Sequence, residues 1–392
     1  MKRYLLVLPI CIFTFFSSCD KKKLIEEFGN GPTDSLKINQ IQIIASHNSY
    51  HIKPSDTITQ FLSNLSSLGL LPAQYDPAGI DYSHLPFDQQ FNNYNVRGLE
   101  IDIYNDPVGG QFYNRKGDEL TGGIAESNIP ELQQPGFKVI HIPDFDFGTH
   151  YYTFKSSLQS LAEWSNAHPN HLPIFINVET KDDAPGDVIT GLGLTESIPY
   201  DAAACDKMDE EIKAVFGENL DKVITPDDVR GNYTTLKDAV LAGNWPQLAQ
   251  ARGKIIFIMQ GAAESLYKAA HPSLQGRAMF VYSSYTSDEA AFVIVNNATS
   301  GKAQITQRVQ EGFMVRTRSD AGTNEARSGD YTDMNNAFES GAQITSTDYY
   351  KADDRAGTPG WTDFHVQFPN SELARVNHVS AVGRADLGLI KE

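Results

Sequence analysis

Two short apolar runs end in side chains that can do chemistry. IIASHNSYH (43–51) delivers His47 and Asn48, and RGLEIDIY (97–104) delivers Glu100 and Asp102. An imidazole beside amide and carboxylate oxygens suits an acid/base group next to a hard metal ion. Glu100 and Asp102 stand at i and i+2, which on a strand places both on one face. Leu99, Ile101 and Ile103 then occupy the other face. Further along, His141, Glu179, Lys181, Gln260, Asn296, Arg316, Arg318 and Asp348 also fall at or near the ends of apolar runs. With Glu179 and the Asn48 amide, Glu100 and Asp102 offer three or four oxygen ligands. That donor set suits calcium better than zinc, since Cys ligands are missing.

Histidines at two different strand ends, His47 and His141, suit one proton abstraction and one proton donation at a phosphodiester. Arg316, Arg318 and Lys181 each read in two ways: as a contact to phosphate or sugar hydroxyls, or as an ion pair to a barrel carboxylate. His168 and His171, in HPNH, read as a solvated turn. PDFDF (143–147) reads as a structural loop beside the site, with a second calcium loop as the alternative.

These residues need strands to position them. The apolar runs are 41–47, 96–104, 137–142, 173–180, 254–260, 290–297, 313–318 and 342–348, each rich in Val, Ile, Phe or Leu as in strands buried on both faces. AMFVYSS (278–284) is a ninth candidate, either an extra strand or a connection. Phe154, Leu158, Leu161 and Trp164 recur at helical spacing, and DKMDEEIKAVFG and TDMNNAFESG also read as helices. Eight buried strands with helical connections predict an α/β fold, a single (β/α)8 TIM-like barrel. The helix-poor connections 48–96 and 103–136 point to an irregular one. An open doubly wound sheet is the rival, but no Gly-rich nucleotide loop follows the first strand.

The chain has 392 residues, 41% hydrophobic, with a net charge of −17. That balance argues against a nucleic-acid partner. MKRYLLVLPICIFTFFSSC has a basic start, a short apolar run and small residues before Cys19, the pattern of a signal peptide over 1–18. FSSC resembles a bacterial lipobox, so Cys19 is the expected lipidation site and 19–37 a lipid-anchored polar tether. The expected location is the bacterial cell envelope, at the outer membrane or cell surface, with the protein acting as a monomer. The domain is expected over 38–392, with 351–392 as a C-terminal extension of unassigned structure. Processing would leave Cys205 without a disulfide partner, and it reads as a structural residue.

ASHNSYH, RGLEIDIY, KVIHIPDFD, IFINVETKDD, MVRTRSDAGTNEAR and SGAQITSTDYY, in this order between about residues 38 and 350, resemble the calcium-dependent phosphatidylinositol-specific phospholipase C-like proteins of bacteria and fungi. The resemblance implies a barrel of the phosphatidylinositol phosphodiesterase type. It implies catalytic roles for His47 and His141, calcium ligation by Asn48, Glu100, Asp102 and Glu179, and support of a histidine by Asp348. It places Arg316 and Tyr349 near a bound phospholipid; Lys181 and Arg318 join them as expected substrate contacts on the reading of the residues alone. The activity implied is calcium-dependent cleavage of phosphatidylinositol or a related lipid to diacylglycerol and inositol phosphate, through attack of the inositol hydroxyl. Two other functions stay open at this point: a glycerophosphodiester phosphodiesterase acting on soluble diesters, and a non-catalytic ligand-binding lipoprotein.

Overall fold

The computed structural model describes residues 32–72, 75–384 and 387–392. The signal peptide, Cys19 and most of the expected tether lie outside the described residues.

Eight parallel strands form the barrel: β1 (Ile41–Ser46), β2 (Val96–Tyr104), β4 (Ile174–Lys181), β5 (Ile255–Gly261), β6 (Phe280–Val281), β7 (Phe292–Asn297), β8 (Met314–Arg318) and β9 (Ile344–Thr347). Their spatial order is β6-β5-β4-β2-β1-β9-β8-β7. A parallel bridge from Tyr282 to Phe292 brings the two end strands together. The predicted barrel is therefore present, with one exchange of members. The run at 137–142 contributes only β3 (Lys138–Val139), which pairs antiparallel to the end of β2 and lies off the barrel path. Its place is taken by the ninth candidate, as β6. Apolar content does not separate these two runs. The chain reverses direction at 105–137, so the third run meets β2 head to tail.

All nine residues of β2 are buried, Arg97, Glu100 and Asp102 included. The outward residues Leu99, Ile101 and Ile103 join the main core, beneath α3 (Phe154–Ala167) and α4 (Ala202–Phe216). In α3, Phe154, Leu158, Leu161 and Trp164 are buried, as the spacing requires, and Thr153 caps its N-terminus. The other longer helices are α1 (Asp56–Ser67), α2 (Phe87–Tyr94), α5 (Ala298–Gln310) and α6 (Thr332–Ser340). Gly341, in the left-handed region at φ 83°, ends α6. A Cβ on Gly98 would lie 2.6 Å from Ala45 Cβ, so glycine lets β1 and β2 approach closely just before the site. Among the described residues no helix is long and apolar enough to cross a membrane.

Two expectations need correction. The expected tether ends early, because Thr33, Asp34 and Leu36 are buried; Asp34 pairs with Arg252 at 2.7 Å, and Leu36 O accepts from Leu248 N–H. His171 is not solvated: it is buried, with Nε2 2.8 Å from Ser165 Oγ. The extension 351–392 returns along the barrel. β10 (Arg375–Val376) pairs with the start of β1, and the Glu392 side chain pairs with Arg97.

Candidate active site and metal centre

The HNSYH turn after β1 builds one side of the site. Asn48 takes φ 45°, a left-handed conformation that asparagine tolerates better than most residues. Ser49 ties the turn to β2 twice, its N–H donating to Glu100 O and its Oγ accepting from Glu100 N–H. Tyr50 is fully buried beneath. His47 stands at the rim, about one-sixth exposed.

His47 Nδ1 lies 2.7 Å from Asp348 Oδ1, at the end of β9. Arg318 donates to Asp348 Oδ2 at 2.8 Å and reaches His47 Nε2 at 3.2 Å. Since a guanidinium can only donate, His47 carries its proton on Nδ1 and a lone pair on Nε2. Burial alone would raise the Asp348 carboxyl, but His47 and Arg318 hold it well below the usual range. Asp348 is held in turn by Asp320, which accepts its N–H at 2.8 Å.

Parallel register sets Asp102 directly beside Glu179. Glu100, Asp102 and Glu179 each offer an oxygen, all within 4.8 Å of one another. Asp102 Oδ1 is buried without a hydrogen-bond partner. Burial first, then the charge on Glu179, raises the Asp102 carboxyl far above its ordinary value. Burial would also raise Glu179, but Lys181 and Gln260 lower it. Asn48 Nδ2 donates to the Tyr82 hydroxyl at 3.2 Å, which leaves its amide oxygen available. An orphaned carboxylate oxygen, two crowded carboxylates and a free amide oxygen make a donor set that fits a hard divalent cation, calcium above zinc.

The second imidazole is organised differently. His141 lies just beyond β3, with Nδ1 2.6 Å from Asp146 Oδ2. His51 Nε2 lies 2.7 Å from both oxygens of the same carboxylate. Burial lowers the His141 pKa despite Asp146. Asp146 sits on a tight turn closed by mutual backbone hydrogen bonds with Ile142, while Asp144 in this turn adopts φ 68°. Asp144 accepts from the backbone of Lys116 and Thr195, so PDFDF is a structural loop that also supplies the carboxylate behind His141.

Three predicted substrate contacts are committed elsewhere. Arg316 is buried, paired with Glu100 and donating to Asn296 and Ser346. Arg318 is spent on Asp348 and His47. Tyr349 is 2% exposed, packed with Tyr82 and Phe364. Alternation explains both arginines: i and i+2 on β8 point into the barrel, where carboxylates await them. Lys181 does remain at the rim, 3.6 Å from Glu179 and from Asp183. Cys205 is buried and its thiol is pushed up to about 11 by burial, as befits a structural residue. Asp146 and His51 are the site residues that strand-end reading misses. An acid five residues beyond His141 and a second histidine in the HNSYH turn were the available signals.

Solved structures similar to the chain include a calcium-dependent phosphoinositol-specific phospholipase C from Pseudomonas sp., at 17% identity, 86% of this chain, 98% of that one and a TM-score of 0.47. A calcium-dependent phosphatidylinositol-specific phospholipase C from Streptomyces antibioticus matches at 14% identity, 80% and 95% coverage and a TM-score of 0.48. A glycerophosphoryl diester phosphodiesterase from Parabacteroides distasonis matches at 11% identity, 83% and 87% coverage and a TM-score of 0.27. No curated protein matches the sequence. The family model for calcium-dependent phosphoinositide phospholipase C matches residues 36–378, and the chain belongs to that family.

Proposed function

We propose that the protein cleaves the phosphodiester of phosphatidylinositol or a related inositol phospholipid, giving diacylglycerol and an inositol phosphate. The observation that carries this reading is the trio Glu100, Asp102 and Glu179, with a buried unpartnered oxygen on Asp102 and His47 Nε2 3.8 Å from Glu100, together with two imidazoles, His47 and His141, that each present Nδ1 to a buried carboxylate.

Glu100, Asp102, Glu179 and the Asn48 amide oxygen would hold calcium. Bound there, the ion would neutralise charge on the phosphoryl group and lower the pKa of the adjacent inositol hydroxyl. His47, with its lone pair on Nε2, takes the hydroxyl proton as that oxygen attacks phosphorus. Asp348 stabilises the imidazolium so formed, and Arg318 keeps the ring in place. His141 protonates the departing glycerol oxygen. Burial lowers the His141 pKa in the free protein, and an anionic phosphodiester favours its charged form. Lys181, at the rim, supplies a cation to the phosphate. Arg316 orients Glu100. Lipidation at Cys19 would keep the barrel at the cell envelope, beside its substrate.

Product analysis tests the reading. Phosphatidylinositol vesicles should yield diacylglycerol and inositol phosphate, whereas glycerophosphoinositol and glycerophosphocholine should yield no glycerol phosphate. Release of glycerol phosphate from the soluble diesters, with the lipid untouched, would assign the chain to the other phosphodiesterase chemistry.

A further inference from the structure

His51 has no place in the proton transfers above, yet it is among the most constrained side chains in the protein. It is fully buried, and its Nε2 bisects the Asp146 carboxylate at 2.7 Å from each oxygen. Its backbone is held on both sides: His51 N–H donates to Asn48 O, and His51 O accepts from His84 N–H. An antiparallel bridge joins it to Thr149, three residues beyond Asp146. The Tyr82 ring packs 4.6 Å away. Nδ1, by contrast, is buried with no hydrogen-bond partner. A histidine placed only to fill the core would satisfy either ring nitrogen equally well. Here one is left unsatisfied and the other is aimed symmetrically at a carboxylate.

That carboxylate has a second client. Asp146 Oδ2 also receives His141 Nδ1 at 2.6 Å, and the two rings stand edge to face with centroids 5.7 Å apart. The 142–146 turn fixes the Asp146 backbone but not the rotation of its carboxylate about χ2. His51 is the group that fixes this rotation, because a donor shared by both oxygens holds the carboxylate plane. With the plane fixed, Oδ2 meets the His141 Nδ1 proton and the ring is held in the tautomer that leaves Nε2 free for the site.

We infer that His51 is a positioning residue: it clamps Asp146 so that the carboxylate holds His141 in one orientation and one tautomer. This rests on the role proposed for His141, but its structural half does not. The arrangement also divides one negative charge between two imidazoles. Removing His51 gives the whole charge to His141, which should then hold its proton more tightly.

The experiment uses the full-length protein and two readouts. Titration of the His141 ring by ¹H–¹⁵N NMR needs no turnover. His51→Leu should move its midpoint upward by about half a pH unit or more. It should also lower kcat on phosphatidylinositol about 10- to 100-fold with KM little changed. His51→Gln, whose amide N–H reaches about as far as Nε2, should restore most of both. An unmoved His141 titration and wild-type kcat in a folded His51→Leu protein would overturn the inference. Should His51→Leu not fold, Asp146→Asn carries the test: the His51 and His141 resonances must move together, and movement of His141 alone overturns it. If the wild type cleaves no phosphodiester while both rings respond as described, the clamp stands and the functional reading fails.

Discussion

His47 Nδ1 and Asp348 Oδ1 lie 2.7 Å apart although 301 residues separate them in sequence. β1 and β9 are parallel neighbours in the sheet, with Ser46 beside Thr347, so the residues that follow meet at one rim. The pair determines which His47 nitrogen carries a proton, and Arg318 marks the other as a lone pair.

Asp348→Asn tests that assignment. The amide can present its NH2 to Nδ1 and stabilise the wrong tautomer. Steady-state kinetics should show kcat reduced about 10²- to 10⁴-fold with KM nearly unchanged. A variant with wild-type kcat would remove His47 from the role of base.

Asp102→Asn separates metal binding from catalysis. The substitution removes one of three crowded carboxylates, so the calcium-free protein should melt no lower than wild type. The calcium-induced rise in Tm should disappear, since ligation stabilises by RT ln(1 + [Ca]/Kd), about 2.7 kcal/mol at a hundredfold excess over Kd. An undiminished rise in Tm would show that calcium binds elsewhere. Lys181→Met should act oppositely and tighten calcium, because Lys181 competes for Glu179 and Asp102.

Two buried histidines should each weaken the fold as pH falls. His84 is lowered to about 3 and His171 to about 4, both chiefly by burial. The unfolded chain takes up protons below about pH 6.5 that these buried rings refuse. The contribution of each ring is therefore flat above pH 6.5 and falls as pH drops toward its folded value, by about 2 kcal/mol at pH 5, while buried carboxyls raised by burial, Glu211 to about 7 and Asp320 to about 6, act in the opposite direction. In urea melts across pH 4.5–7.5, His84→Gln should therefore lose about 2 kcal/mol less stability than wild type between pH 7 and pH 5. The same pH dependence in both proteins would contradict the account.

Much of this site could be read from strand ends. His47, Asn48, Glu100, Asp102, Glu179 and Asp348 all follow from buried parallel strands whose carboxyl ends converge. His141 reached the same place from a two-residue antiparallel strand that the apolar run at 137–142 disguised as a barrel member. The roles of Arg316 and Arg318 were undecided in sequence because a cation at i and i+2 serves a phosphate or a carboxylate equally well. Only the three-dimensional partners, Glu100 and Asp348, separate the two. Tyr349, expected beside the substrate, is buried because the chain turns inward after Asp348 and packs that ring against Tyr82 and Phe364. Asp146 and His51 act through His141 rather than at a strand end, and position in the barrel does not identify such residues.

Cys19→Ser tests the proposed anchor. Wild-type protein should fractionate with envelope membranes and label with a fatty-acid probe. The variant should lose the label and leave the membrane fraction. Retention of both would assign attachment to another segment.

The central claim is that calcium held by Glu100, Asp102, Glu179 and Asn48 supports cleavage of an inositol phospholipid. Its most direct test is diacylglycerol release from phosphatidylinositol vesicles, measured with EGTA and then with calcium restored. The account predicts loss of release in chelator and full recovery with calcium, but not with magnesium, in wild-type protein, and no recovery in Asp102→Asn. Undiminished release in EGTA, or full recovery in Asp102→Asn, would contradict it.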